Sequence, residues 1–290
     1  MIMAILVSTG CKKDRHEDDN TIKISVSIGN LSKVATDDNG SQYFEDNDEI
    51  SVYAWIGDKT VAPDAAGRIV NNSINKLGTG VWTATPQMLW STLAEPHNFI
   101  GIYPKTESPV DNLSADKFTL SETEPAKNDL LVATNYDGLT GEMKKTVPLM
   151  FDHVMAKVIV NLEFRNQWGG GAPEVASVKL LNCVKEATVN YLNKTVSVDA
   201  GAAREELYLL EESENRTFSY ILVPQTSINT IVINIDGKDY TYTGSTDFVI
   251  ESGKYTTINL IVGRDRVDIS SITINNWKEG NKYSGGEALD

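Results

Sequence analysis

From Thr21 onward, apolar residues recur at every second position, and that period is the strongest constraint on what this chain can fold into. In Thr21-Ile22-Lys23-Ile24-Ser25-Val26-Ser27-Ile28 each even position is apolar and each odd one polar. Successive side chains of a strand point to opposite faces, so the pattern describes a strand with one dry and one wet face. Ile50, Val52, Ala54 and Ile56 repeat it, and so do Val158, Val160, Leu162 and Phe164. Ile231, Ile233 and Ile235 follow, then Ile258, Leu260 and Val262, then Ile272 and Ile274. The residues between are largely Thr, Ser, Asn, Lys and Glu, as a solvated sheet face requires. No window carries the period of a long amphipathic helix. Arg204–Glu212 has the composition for a short one, but Leu207 and Leu209 favour extended chain.

Turn chemistry separates these runs. Asp236-Gly237 between two alternating segments is a hairpin signal, and Asn39-Gly40, Asp137-Gly138, Thr140-Gly141 and Ser252-Gly253 mark other turns. Roughly a dozen short strands are too many for one small sandwich. The expectation is therefore an all-β chain of two β-sandwich domains in tandem. Gly138–Lys145 is polar and turn-rich, and Pro148 opens a new apolar run. This places the domains at 21–145 and 146–290, with 1–20 outside the fold. Gly169–Pro173 is glycine-rich but lacks a phosphate-loop Lys-Ser/Thr, so it reads as a strand connection.

Charge and scarce chemistry narrow the function. Lys and Arg number 26 against 40 Asp and Glu, a net charge of −14, which repels phosphate backbones and anionic lipid heads. Nucleic acid is thus excluded as a partner. Two cysteines and three histidines supply neither a disulfide framework nor a Cys/His metal site. Asp152 and His153 are adjacent, so on a strand they face opposite ways, and no Gly-x-Ser-x-Gly accompanies them. His153 and His97 read as structural. Asp37-Asp38-Asn39-Gly40 misses calcium-loop spacing, and Glu45–Glu49 reads as a turn before a strand. No enzyme, cofactor or metal is expected, and Cys183 reads as a buried hydrophobe.

Residues 1–10 are apolar and then small, and Cys11 follows. They are too few to span a bilayer. The segment resembles a bacterial lipoprotein signal, which implies lipidation at Cys11 and an outer-membrane anchor. Lys12–Asn20 has no apolar residue and forms a solvated tether. It also resembles the acidic surface-export signal of some Gram-negative lipoproteins. Trp55, Trp82, Trp90, Tyr53 and Tyr103 cluster in the first half. Exposed aromatics stack on sugar rings, so a monomeric surface lipoprotein binding glycan through Trp55, Trp82 or Trp90 is the alternative to their use in packing.

Pro148–Val160, which contains Phe151, His153 and Met155-Ala156-Lys157-Val158, resembles the hallmark segment of the bacterial fimbrillin family. Phe44–Ala54 is similar to the family's "Phe…Gly-Asp…Ile-x-Val-Tyr" strand, with Asn47 in place of Gly. Phe99–Pro104, Asn128–Ala133, Ile221–Thr226, Gly253–Thr256 and Ile274–Gly280 resemble further family segments in the expected order. The resemblance covers roughly residues 20–285. It implies transthyretin-like (Ig-like, Greek-key) sandwiches on a lipidated N-terminus, exported to the cell surface as subunits of adhesive fimbriae. It further implies assembly with other fimbrial subunits, as a homo- or hetero-polymer that contacts host or bacterial surface ligands. A trypsin-like protease removes the first strand, and a C-terminal strand of the next subunit refills the groove. Carried onto this chain, the removable strand is Ile22, Ile24, Val26 and Ile28, and cleavage falls after Lys33. The donor strand is Val267, Ile269, Ile272 and Ile274, with the Tyr283–Leu289 tail. Stalk, anchor and tip roles all stay open.

Overall fold

The computed structural model describes residues 20–29, 44–168 and 173–277. Among these residues there is no α-helix; nineteen strands are joined by loops and short 3-10 turns. The first half contributes β1 (Ile24–Ile28), β2 (Glu49–Ile56), β3 (Val70–Gly78), β4 (Val81–Thr85), β5 (His97–Tyr103) and β6 (Asp116–Thr119). Next come β7 (Leu131–Leu139), β8 (Val147–His153), β9 (Ala156–Phe164), β10 (Val175–Cys183), β11 (Glu186–Asn190) and β12 (Thr195–Ser197). The rest are β13 (Glu205–Tyr208), β14 (Leu210–Ser213), β15 (Thr217–Leu222), β16 (Thr230–Ile235), β17 (Lys238–Thr243), β18 (Lys254–Val262) and β19 (Val267–Asn276).

These strands form four sheets stacked in a sandwich-like arrangement. A seven-stranded sheet has the order β1-β8-β7-β5-β2-β3-β4. A five-stranded sheet, β14-β15-β9-β18-β19, lies in the second half with a four-stranded sheet, β13-β10-β16-β17. A three-stranded sheet, β12-β11-β6, joins the halves, because β6 crosses from the first to pair with β11.

Past the 145/146 position at which the sequence places the domain boundary, β8 hydrogen-bonds to β1 and β7 within the first sheet. The chain changes sheets at Val154–Met155, where β8 ends and β9 begins in the five-stranded sheet. A polar, turn-rich segment marks a loop, and composition does not distinguish a loop inside a sheet from one between sheets. One expectation is corrected: Asp137-Gly138 is not a turn between strands. It lies within β7, where the pairing with β5 shifts register between His97↔Leu139 and Phe99↔Asn135. The extra residues form a bulge, with Gly138 at φ +72. Asp236-Gly237 does join β16 to β17 as a two-residue turn, both residues at positive φ.

β2 shows why the core is shared. Ile50, Val52 and Ala54 face one hydrophobic cluster with Phe99, Leu149 and Phe151. Tyr53 and Trp55 face another, with Ile100, Ile102, Met155, Val158, Leu180 and Ile231. The second cluster draws on both halves of the chain, so the first sheet is dry on both faces at its centre.

Candidate functional site

Among the described residues β1 is an edge strand, paired on one side only and parallel to β8, with Ile24 opposite Val147 and Ile28 opposite Phe151. Its ends are fastened by backbone bonds: Val147 N–H to Lys23 O at 2.8 Å, and Gly29 N–H to Phe151 O at 2.8 Å. Upstream, Ile22 N–H donates to Met88 O at 2.9 Å and Trp90 N–H to Asn20 O at 3.0 Å. Ile22 and Ile28 are buried, whereas Ile24 and Val26 are half-buried. All four pack on the cluster around Phe151 and Met88. Full burial of such a side chain stabilises by about 1.5–3 kcal/mol, so this edge strand seals the sheet's outer core.

Beside β1 lies a slot of about 1070 Å³. Ile22, Ile24 and Val26 line one side, and Trp82 and Ala84 of β4 line the other. β1 and β4 are the two ends of the seven-stranded sheet, so among the described residues both strands flanking the slot have an unpaired edge. Phe44 meets Trp82, Tyr103 and Phe151 edge-on at centroid distances of 5.2–5.4 Å.

The residues assigned to a donor strand lie elsewhere. Val267, Ile269, Ile272 and Ile274 belong to β19, the edge of the five-stranded sheet, paired along its length with β18. Their apolar phase switches from odd to even positions, and the structure supplies the reason. The register slips where Asn259 pairs with Ser271 but Leu260 pairs with Ile269, leaving Ser270 as the extra residue. That bulge returns Ile272 to the face of Ile269. Val267 and Ile269 are half-buried, but Ile272 and Ile274 remain 44% and 41% exposed. Cys11, Lys33, the Tyr283–Leu289 tail and the Asp37–Gly40 segment lie outside the described residues.

The end of β19 is pinned by a contact that sequence reading missed. Trp277 N–H donates to Gly253 O at 2.8 Å. The Trp277 indole lies flat on His153, with centroids 4.3 Å apart and planes 4° apart. His153 Nδ1–H donates to Asp129 Oδ1 at 2.6 Å, and Asp152 instead pairs with Lys194 at 2.9 Å. His153 thus ties β8, the segment before β7 and the end of β19 to the corner where the chain changes sheets. No local signal reports such a contact between residues so far apart in sequence.

The aromatic route to a glycan is corrected. Trp55 is 0% exposed and donates through Nε1 to Asp58 O, and Trp90 is 4% exposed against His97. Both are core residues, Trp55 because β2 is buried on both faces and Trp90 because it packs in the cluster of Met88 and Phe99; Trp82 and Trp90 both border the slot, and Trp55 does not. Burial pushes the Cys183 thiol up to about 12, which makes it a packed hydrophobe. Among the described residues, no three His, Cys, Asp or Glu group to hold a metal, and no helix is long and apolar enough to cross a membrane.

His97 gives a pH prediction. It is fully buried, its Nδ1–H donates to Glu95 O at 2.9 Å, and loss of solvation holds its pKa below the usual imidazole value. Folding therefore favours the neutral ring. The unfolded chain takes up the proton first as pH falls, so stability is present above about pH 6.5 and lost below it. Denaturant midpoints measured from pH 7.5 to 5.5 should fall for the native chain and fall less for His97→Gln. Equal slopes would contradict this.

The family described as fimbrillin-like matches residues 32–277. A search of curated protein sequences returns no match. Among solved structures, a candidate cell adhesion protein from Bacteroides uniformis superposes with a TM-score of 0.68 at 19% identity, covering 90% of this chain and 100% of that one. A candidate cell adhesion protein from Bacteroides ovatus gives 0.68 at 18% identity, covering 90% and 99%. A fimbrial protein from Bacteroides vulgatus gives 0.55 at 13% identity, covering 89% and 99%. At these identities the superpositions establish the fold.

Proposed function

This chain belongs to the fimbrillin-like family, and we propose that it is a structural subunit of a cell-surface fimbria that polymerises by strand exchange and serves adhesion. The single observation that supports the mechanism is β1: among the described residues an edge strand held on one side only, covering an apolar core beside an open slot. Removing it would strip the partner from β8 and uncover Val147, Leu149 and Phe151 together. An unpaired sheet edge over an apolar groove is the substrate of β-augmentation, in which another chain supplies both the ladder bonds and the side chains. The trigger in this reading is cleavage after Lys33, in the segment that links β1 to β2. The donor is the β19 set, Val267, Ile269, Ile272 and Ile274, or the chain that follows it. Unlike surfaces joined head to tail give an open filament. The partners are then other fimbrial subunits, of the same or a different chain, and host or bacterial surface ligands. Lipidation at Cys11 would hold the chain at the outer membrane.

The test is digestion of residues 21–290 with a Lys/Arg-specific protease, an unheated denaturing gel and sequencing of the new N-terminus. A ladder of resistant oligomers whose chains start at Val34 is expected of a stalk subunit. Cleavage without a ladder would assign a tip or accessory role. An uncut monomer would remove protease-triggered exchange.

A further inference from the structure

The outward face of the five-stranded sheet carries a second recess that the assembly reading does not use, of about 890 Å³, within the usual range of ligand pockets. The register sets out its floor as rows across four strands. Thr217, Asn161, Asn259 and Ser271 form one row over β15, β9, β18 and β19. Ser219, Ile159, Thr257 and Thr273 form the next, and Lys157, Tyr255 and Asn275 lie in the third. Ile159 and Ser219 point away from the core yet are each only 5% exposed. This face is therefore recessed, with Glu212 and Ser213 of β14 at its rim.

The first row is wired together. Thr217 Oγ1–H donates to Asn161 Oδ1 at 3.0 Å, Asn161 Nδ2–H to Asn259 Oδ1 at 2.8 Å, and Asn259 Nδ2–H to Ser271 Oγ at 2.7 Å. These bonds fix both amide planes and use one N–H of each, so each amide keeps a second N–H and a lone pair for a ligand. The charges on this face cancel: Lys157 Nζ lies 3.2 Å from Glu212, which also accepts from the Ser219 hydroxyl.

We propose that this recess binds a neutral oligosaccharide, held by the Asn161–Asn259 amides and flanking Thr hydroxyls over a floor of Ile159 and Tyr255. Oriented amides and hydroxyls match a ligand that presents both donors and acceptors, and the aromatic and aliphatic floor matches the C–H faces of a sugar ring. With the recess charges internally paired and the chain at −14, an anionic ligand has no counter-charge there.

The test is electrophoresis of the folded chain in native gels cast with dextran, mannan, galactan or anionic polygalacturonate. Retardation in at least one neutral gel is expected, with apparent affinity falling tenfold or more in Thr257→Trp and in Asn275→Trp, either of which fills the recess. Asn259→Leu, which cuts the wired row, should weaken binding as well. Thermal unfolding of each variant separates loss of binding from loss of fold, and cleavage after Lys33 in each reports separately on assembly. Unchanged mobility in every neutral gel, retardation by polygalacturonate alone, or retardation that folded recess variants retain would overturn the proposal.

Discussion

Trp277→Ala should free the end of β19 and raise amide exchange along Val267–Asn276 by roughly 100-fold, about 2.7 kcal/mol of local stability, while amides of β2 and β5 stay protected. Among the described residues β19 is an edge strand, so its stability rests on one ladder and on the contacts at its ends. Trp277 is the largest of those end contacts: it is buried, flat on His153, and bonded through its backbone to Gly253. A buried Trp→Ala change costs about 3–5 kcal/mol, part of which the surroundings recover by collapse. Trp277→Phe is the control. Among the described residues the buried Nε1 finds no partner, so phenylalanine keeps the stack and removes an unsatisfied donor. Its exchange rates should stay within a few-fold of the native chain. If alanine left β19 as protected as before, Trp277 would not be its clamp. In the strand-exchange reading the same substitution changes how readily β19 is surrendered, so its effect on the oligomer ladder should follow its effect on exchange.

Arg68→Ala is expected to be the most damaging substitution of a charged residue, costing about 3–5 kcal/mol in denaturant unfolding. Arg68 is buried, and its guanidinium is satisfied mainly by carbonyl oxygens: Pro63 O at 3.0 Å, Val110 O at 2.5 Å and Asp111 O at 2.8 Å. It also donates to Asn71 Oδ1 at 3.0 Å and lies 5.5 Å from the centre of the Tyr53 ring. Tyr53 Oη in turn accepts from Val110 N–H at 3.1 Å. The pair thus pins the irregular chain between β5 and β6, which carries Val110 and Leu113 into the shared core. Truncation leaves the buried Val110 carbonyl without its guanidinium partner and opens a void above Tyr53. Arg68→Lys should recover little, because one ammonium cannot reach carbonyls spread across a planar fork. A loss under about 1 kcal/mol for Arg68→Ala would refute this account.

What could be read from the chain alone follows the range of the physics. Alternation is a property of neighbouring residues, so β1, β9, β16 and β18 were legible, as was the Asp236-Gly237 turn. The all-β class followed from them. The family segments were legible for a similar reason, being short local strings. The apolar set of β1 could be named in advance as well, since one dry face on a short strand depends on nothing distant.

Other features depend on which strands become neighbours. β2 reads as an alternating strand, but it is dry on both faces because the second half packs against the side of Tyr53 and Trp55. That packing turned Trp55 from a candidate sugar platform into core. The bulge at Ser270, the place of β8 in the first sheet, the His153–Trp277 stack and the Arg68 cage all join residues far apart in sequence. The wired amide row does the same, although its members were visible beforehand only as wet-face residues. Local sequence determines whether a segment is extended and which of its side chains share a face. Sheet order and register decide what each face meets, since they rest on the summed burial and hydrogen bonding of many distant pairs, and only the tertiary structure expresses that sum.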